Sequence, residues 1–327
     1  MTRTRCAARL LALLLGLAGS QTLRADLPLQ PIMMIDPIYF TQTDNERAIP
    51  VRVLFPSAAQ ATLPVIIFSH GAYLSRDHYA QLTHYWARQG FLVLQPDHPG
   101  AAVDGFRQDT VVQDDLWRRR IRELALLKAK LPELENEVPT LRGRIDYGRI
   151  YLAGHSFGAH SVAALMGARV WNANQSSFED FSLAGVRGAL LLSPPGMGDD
   201  ALKGDWVERG SYLRVDWSQL RGPLFVAVGE QDAVATMMTT RDASWHSDIY
   251  QRTDLRPMCL LRLGGVGHYL GGIVDPRRSG AEDSRPESLA LLRAATLLFL
   301  ANPGGNLEAG LQQDLDRNIG DAVQCRS

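Results

Sequence analysis

The sequence GHSFG, residues 154–158, is the stretch on which the prediction of the fold depends. It has the form G-x-S-x-G. The run before it, residues 149–153, is typical of a short buried strand, and residues 159–166 after it are typical of a helix. Where a strand turns abruptly into a helix, the backbone passes close to itself, so Gly is needed on both sides of the central residue. The pattern therefore predicts that Ser156 lies on a strained turn with an exposed, nucleophilic hydroxyl.

Apolar runs typical of strands recur along the rest of the chain. They cover residues 31–40, 48–55, 64–69, 91–95, 188–193, 223–228 and 258–263, and a polar turn at 41–46 separates the first two. Helical patterns cover residues 76–88, 114–130 and 287–300, and the second is expected to hold Arg118 to Arg120 mostly on its solvated face. This order predicts an α/β fold with a mostly parallel central sheet of about eight strands and helices on both faces.

The N-terminus has the pattern of an export signal. Three Arg within the first nine residues precede an apolar run at 10–18, which is too short to span a membrane. Residues 1–20 are therefore expected to be a signal peptide, with an alternative cleavage after residue 25, and residues 21–327 to form a single secreted or periplasmic domain. Loss of the three Arg changes the formal net charge from −1 to −4, which argues against a nucleic-acid or anionic-membrane partner.

Two cysteines remain once Cys6 is removed with the signal peptide. Cys259 lies in the last predicted strand and Cys325 lies near the C-terminus. In an oxidising compartment they are expected to form a disulfide that ties the C-terminal tail to that strand. The alternative, one buried thiol and one in a frayed tail, stays open at this point.

Downstream of Ser156, the loops after the last two predicted strands carry first an acid and then a base. Asp232 follows the next-to-last strand and His268 follows the last. Because the carboxyl ends of parallel strands meet at one edge of the sheet, both are expected near Ser156. His268 would take the proton of the Ser156 hydroxyl, and Asp232 would fix the tautomer of the imidazole. Asp199 or Asp200 could replace Asp232 as the acid.

Negative charge that develops on a carbonyl oxygen needs preorganised backbone donors. The N–H of Phe157, directly after the nucleophile, is expected to be one of them. The other should come from the loop after the strand at 64–69, where Ala72 is the first choice and Tyr73 the second. The eight His form no recognisable zinc spacing, so no metal is expected.

The chain resembles the α/β-hydrolases, in particular dienelactone-hydrolase-like proteins and platelet-activating-factor acetylhydrolases and, more distantly, chlorophyllases and cutinase-like polyesterases. The matching pieces are FSHG at 68–71, GHSFG at 154–158, G-x-x-D at 229–232 and GH at 267–268. The resemblance implies a carboxylic-ester hydrolase, a serine esterase without a metal or organic cofactor. The chain departs from the dienelactone hydrolases proper, which use Cys as nucleophile, and it has Ala159 where many relatives have a third Gly.

The substrate is expected to be a small-molecule ester. Residues 194–222, where lipases often insert a lid, are too few for a large cap, so the lid should be minimal and the cleft open. Such a cleft suits short-chain or bulky aromatic esters. Its candidate walls are Tyr73, Phe157, Met197, Tyr269 and Leu270.

Two other functions stay compatible with these residues. A peptidase or an acyltransferase would use the same Ser, His and Asp with a different substrate or acceptor. A hydrolase-fold protein that only binds would belong to another class, although all three positions are filled. The oligomeric state and the natural ester are left open.

Overall fold

The computed structural model describes residues 30–41, 47–57, 62–101, 116–198, 201–275, 284–315 and 322–326. The expected signal peptide lies outside the described residues. So do Asp199, Asp200 and most of the polar turn between the first two predicted strands.

A nine-stranded sheet dominates the described part of the chain, with strands in the order β1-β2-β4-β3-β5-β8-β10-β11-β12. Its six central strands run parallel, and β1, β2 and β12 are antiparallel to their neighbours. The α/β prediction is confirmed, since all eight predicted strands are present and β12 is the ninth. The strands of the whole chain are β1 Ile32–Phe40, β2 Ile49–Pro56, β3 Leu63–Ser69, β4 Leu92–Pro96, β5 Ile145–His155, β6 Arg169–Asn172, β7 Ser177–Glu179, β8 Gly188–Leu192, β9 Val215–Asp216, β10 Leu224–Gly229, β11 Met258–Leu263 and β12 Val323–Arg326.

Helices cover both faces of this sheet. The α-helices are α1 Ala80–Arg88, α2 Leu116–Ala129, α3 Leu131–Glu137, α4 Phe157–Leu165, α5 Trp206–Arg209, α6 Val234–Met238, α7 Asp248–Gln251, α8 Pro286–Ala301 and α9 Leu307–Leu315. Short 3₁₀ helices add Arg76–His78, Pro139–Leu141, Ser211–Leu213 and Ala243–Ser247. No helix in the described ranges combines the length and the apolar character needed to cross a membrane.

The core lies in two layers, one on each side of the sheet. In β5, Leu152 faces the layer formed with α2, α3 and α4, whereas Tyr151 and Ala153 face the layer formed with α1, α8 and α9. Side chains alternate between the two faces of a strand, so a strand buried on both faces must be apolar throughout. Each fully buried Leu or Ile contributes about 1.5–3 kcal/mol relative to an exposed one.

A second, three-stranded sheet in the order β7-β6-β9 follows α4, and only its strand β9 lies in the interval 194–222. Sequence reasoning missed it because its strands have only two to four residues and mix polar with aromatic side chains. Trp171 and Phe178, from neighbouring strands, pack edge to face with ring centroids 5.2 Å apart.

The expectation that Arg118 to Arg120 lie mostly on a solvated face is wrong. Arg119 is exposed, but Arg118 and Arg120 are buried. The guanidinium of Arg118 forms an ion pair with Glu179 of β7 and stacks on the ring of Trp117. The helix therefore turns two of its three Arg inward, where ion pairs and ring stacking replace water.

The C-terminal strand β12 pairs with β11, and Cys259 lies opposite Cys325 in the register. The two sulfur atoms form the disulfide that the sequence predicts. The tail is thereby fixed to the strand that precedes His268.

Candidate active site

Ser156 lies at the turn between β5 and α4 with φ 53° and ψ −119°. This left-handed conformation is rare for a residue with a side chain and is held here by close backbone contacts. A Cβ at Gly154 would collide with the backbone of Gly158, and a Cβ at Gly158 would collide with the backbone of Ser69. The N–H of Ser156 donates to the carbonyl of Leu192 at 2.8 Å. The two Gly are thus required by the close approach of β5, α4 and β3.

Asp232 follows β10 and is buried. Its Oδ1 accepts from the N–H of Val234 at 2.9 Å, and its Oδ2 lies 2.6 Å from Nδ1 of His268. Burial by itself raises the pKa of the Asp232 carboxyl, but the contacts with the imidazoles of His246 and His268 outweigh burial and hold that pKa well below its usual range. The carboxylate is therefore ionised and accepts the Nδ1–H of His268, which leaves the lone pair of the neutral ring on Nε2.

The loops that carry Asp232 and His268 touch each other through their backbones. A Cβ at Gly229 would collide with the carbonyl of Gly267, so only Gly permits this approach. The carbonyl of His268 accepts from Ser193 Oγ at 3.0 Å and lies 3.0 Å from Nε2 of His155. Burial lowers the pKa of His268, and the hydrogen bond and charge of Asp232 oppose that effect.

A chain of hydrogen bonds links the His268 loop to the loop after β3. Since a carbonyl only accepts, Nε2 of His155 must carry the proton that His268 receives. Its Nδ1 then accepts from the hydroxyl of Tyr79 at 2.9 Å, and that hydroxyl accepts from the N–H of Gly71 at 2.9 Å. Burial lowers the pKa of His155 to about 3, so the ring stays neutral at physiological pH.

The predicted backbone donors lie around one cavity. Phe157 is the first residue of α4, so its N–H has no partner within the helix. Ala72 and Tyr73 belong to the exposed loop after β3, and Tyr73 has a left-handed φ of 58°. All three residues line the same cavity of about 390 Å³. The loop is braced by the Nδ1–H of His70, which donates to the carbonyl of Gly71 at 2.7 Å.

Arg120 contacts both segments that carry the predicted backbone donors, the loop after β3 and Phe157. Its Nη2 donates to the carbonyl of His70, and its guanidinium carbon lies 4.6 Å from the centroid of the Phe157 ring. Only 1% of Arg120 is exposed, and burial lowers the pKa of its guanidinium to about 10. Its Nε is buried and has no hydrogen-bond partner among the described residues. A buried positive charge therefore lies next to the segments that carry the backbone donors.

His98 contacts the same loop through His70, and Glu123 contacts the ring of His98. The N–H of His98 donates to Nε2 of His70 at 3.1 Å, and Nδ1 of His98 lies 2.6 Å from Oε2 of Glu123. Burial raises the pKa of Glu123 to about 7, although the charges of Arg47 and Arg120 oppose this. Glu123 therefore titrates near neutral pH inside the protein.

Aromatic side chains form much of the cavity wall. Leu270, a predicted contact, is fully buried in the core, so its side chain offers no surface to a ligand. Met197 and Tyr269 are half-buried and do not line this cavity. The aromatic lining residues are Tyr73, Trp117, Phe157, Trp171, Trp206 and Tyr212.

His246 is a site residue that sequence reasoning missed. It lies in the 3₁₀ helix Ala243–Ser247, and its Nε2 is 3.2 Å from Oδ2 of Asp232. The sequence around it has no motif, so only the fold could reveal it. Asp232, His246 and His268 bring three possible metal ligands within 4.8 Å of one another. However, the 2.6 Å contact between His268 and Asp232 is shorter than the roughly 3.3 Å between two ligands of a tetrahedral zinc ion, which favours hydrogen bonding.

Solved structures with a similar fold cover most of the chain. A candidate dienelactone hydrolase from Klebsiella pneumoniae subsp. pneumoniae has 14% sequence identity and a TM-score of 0.52, over 84% of this chain and 100% of that one. A dienelactone hydrolase-like promiscuous phosphotriesterase from metagenomic libraries has 15% identity and a TM-score of 0.55, over 84% of this chain and 99% of that one. At these identities the likeness shows the fold alone.

Among curated protein sequences, none matches this chain. The model of the alpha/beta hydrolase family matches residues 66–315, which is well over half of the sequence. That span runs from β3 into α9 and includes the loops that carry Ser156, Asp232 and His268. The chain belongs to the alpha/beta hydrolase family.

Proposed function

We propose that this hydrolase cleaves carboxylic esters through an acyl-enzyme on Ser156, with His268 as general base and Asp232 as the acid that orients it. Ser156, held at φ 53°, directly follows His155, whose ring centroid lies 4.8 Å from that of His268. The observation that carries the proposal is the 2.6 Å contact between Nδ1 of His268 and Oδ2 of Asp232. That contact leaves Nε2 of His268 free to accept a proton, as a serine nucleophile requires.

The reaction would proceed in two halves. Oγ of Ser156 attacks the ester carbonyl while its proton passes to Nε2 of His268, and the carbonyl oxygen becomes an oxyanion. The tetrahedral adduct collapses, the C–O bond to the alcohol breaks, and the alcohol leaves with the proton from His268. Water then attacks the acyl-enzyme by the same route and releases the acid. The N–H groups of Phe157 and Ala72, or alternatively Tyr73, would stabilise both oxyanions.

The cavity supports the expectation of short-chain or bulky aromatic esters. Its volume of about 390 Å³ and its aromatic wall suit a ring or a compact acyl group. In its described part, the interval 194–222 holds only short elements, among them α5 and β9, which favours an open site without a long acyl tunnel.

Export, as a secreted or periplasmic protein, is part of the proposal. The Arg-rich, apolar start of the sequence and the disulfide between Cys259 and Cys325 both favour an oxidising compartment.

Fluorophosphonate labelling and ester turnover of wild type, Ser156→Ala and Ser182→Ala test the proposal. We expect Ser156→Ala to lose labelling and nearly all turnover, and Ser182→Ala, whose hydroxyl bonds to Asp180, to retain both. Retained turnover in a folded Ser156→Ala would contradict the mechanism. An unlabelled wild type would support a protein that only binds, and cleavage of amides in preference to esters would support a peptidase.

A panel of p-nitrophenyl esters defines the substrate class. We expect kcat/KM to be highest for acetyl, butyryl and benzoyl esters. A steady rise toward long acyl chains would overturn the open-site interpretation.

A further inference from the structure

The catalytic acid contacts two imidazoles rather than one. Oδ2 of Asp232 lies 2.6 Å from Nδ1 of His268 and 3.2 Å from Nε2 of His246. Nε2 of His246 makes no hydrogen bond within the described residues, so its 3.2 Å approach to Oδ2 is that of an ion pair. The mechanism above uses His268 alone, which leaves a buried, titratable side chain against the catalytic acid without a role.

Both ring nitrogens of His246 meet acceptors. Nδ1 lies 2.7 Å from the carbonyl of Pro194, and a carbonyl can only accept, so Nδ1 carries a proton. In a neutral ring the lone pair would then sit on Nε2, 3.2 Å from the carboxylate of Asp232. A proton on Nε2 replaces this repulsion by attraction, and only the imidazolium carries a proton on both nitrogens.

The segment that presents His246 is firmly held. Nε1 of Trp245 donates to the carbonyl of Met197 at 2.9 Å, and the N–H of Met197 donates to Asp248 at 3.1 Å. Both nitrogens of the Arg241 fork donate to Asp248 at 2.6 Å. The bonds of Trp245 and Asp248 to Met197 join the middle of the 3₁₀ helix and the residue after it to the loop after β8. The fold therefore holds the backbone of His246 in place.

We propose that His246 is a positioning residue that holds an imidazolium against Asp232 and so fixes the orientation and the charge balance of the carboxylate that serves His268. The proposal rests on the proposed hydrolase function. With His246 charged, Asp232 is already neutralised and attracts a proton onto His268 less strongly. His268 then remains a neutral base at lower pH than it would beside an uncompensated carboxylate.

The ionisable groups that face this pair come from several elements. The centroids of the His246 and His268 rings are 5.4 Å apart. His155, at the end of β5, also feels the charge of His246. Within the described ranges, the ionisable groups around the His246 ring are Asp232, His268 and His155, and Arg241 and Asp248 flank its own segment.

Nitrogen-15 NMR of the histidine rings tests the protonation state without needing turnover. We expect His246 in the folded, resting protein at pH 7 to show two protonated nitrogens, with the resonances assigned by their loss in His246→Gln. A pyridine-type nitrogen on His246 would overturn the proposal even if Ser156 proves to be the nucleophile. A failed Ser156→Ala test would leave this measurement unaffected, so the two failures can be told apart.

The pH profile of kcat/KM tests the consequence for catalysis. Gln can donate a neutral hydrogen bond from near the position of Nε2, and Asn can keep the bond to Pro194 without reaching Asp232. We expect the acid limb to move up by about one pH unit in both variants, since the positive charge is lost, and kcat to fall more in His246→Asn. His84→Asn on α1 should leave the profile unchanged.

A role in packing alone predicts a different result. Both variants would then lower Tm and leave the acid limb where it is in wild type, which would overturn the proposal. Loss of wild-type activity on treatment with a chelator would also overturn it, because the three side chains would then hold a metal rather than a proton.

Discussion

The proposed active site has two sides that are built differently. On the acid–base side, the loops after β10 and β11 meet backbone to backbone, and Asp232 and His268 are joined by a direct 2.6 Å contact. On the proposed oxyanion side, the loop at 70–73 is held by Arg120 of α2, a buried cation that donates to the carbonyl of His70. It is also held by His98, whose ring contacts Glu123 of the same helix. The acid–base side is assembled from neighbouring strand ends, whereas the oxyanion side needs a helix to supply charge to a loop. We therefore expect substitutions on the acid–base side to impair proton transfer and substitutions on the oxyanion side to misalign the backbone donors.

Asp232→Asn should give the largest effect. The amide cannot accept the Nδ1–H of His268 as a carboxylate does, so the imidazole loses its tautomer and the charge that stabilises the imidazolium. We expect kcat to fall by about 10³- to 10⁴-fold, with Tm measured alongside. A fall of less than tenfold in a folded variant would move the role of the acid to Asp199 or Asp200.

Arg120→Met should give a smaller loss on the oxyanion side. Without the guanidinium, the carbonyl of His70 and the ring of Phe157 lose their common support, so the backbone donors lose their alignment. We expect kcat to fall by about 10- to 100-fold with little change in KM, because the donors act mainly in the transition state.

Arg119→Met is the matched control, since Arg119 precedes Arg120 on the same helix and is exposed. It should change kcat by less than about twofold, as exposed substitutions generally do. Arg120→Lys keeps the charge but not the fork and should fall between. Equal losses in Arg119→Met and Arg120→Met would abolish the distinction between the two sides.

Glu123→Gln should have the smallest effect on turnover, and its effect is measured as a change in the free energy of unfolding. The raised pKa of Glu123, about 7 against 4.5, means that the folded protein keeps a proton that the unfolded chain has lost. The wild type should therefore lose stability relative to Glu123→Gln as pH rises from about 4.5 to 7, by up to roughly 3 kcal/mol. Urea unfolding at pH 4.5 and 7.5 measures the difference.

Glu133→Gln, which alters a half-exposed pair with Lys130, provides the control for Glu123→Gln. Its stability should follow that of wild type at both pH values. If Glu123→Gln and wild type differ by the same amount at pH 4.5 and at pH 7.5, the buried carboxyl does not titrate as proposed.

The difference between the two sides also explains what could be predicted. The sheet and the positions of Ser156, Asp232 and His268 follow from apolar runs and from the residues directly after them, which are local signals. Arg120 and His246 gave no such signal. A run of three Arg on an amphipathic helix predicts exposure, and nothing in the sequence around His246 indicates that a 3₁₀ helix brings it to Asp232. Both depend on contacts between distant segments.

The short strand β12 has a consequence beyond the stability of its disulfide. It covers the outer edge of β11 over four residue pairs, and the bond between Cys259 and Cys325 keeps it there. Reduction would remove about 4 kcal/mol of chain-entropy stabilisation and could release this cover. The uncovered strand would then present a row of unpaired N–H and C=O groups, which is a template for another chain. Under reducing conditions, the first change we expect is therefore self-association of the protein.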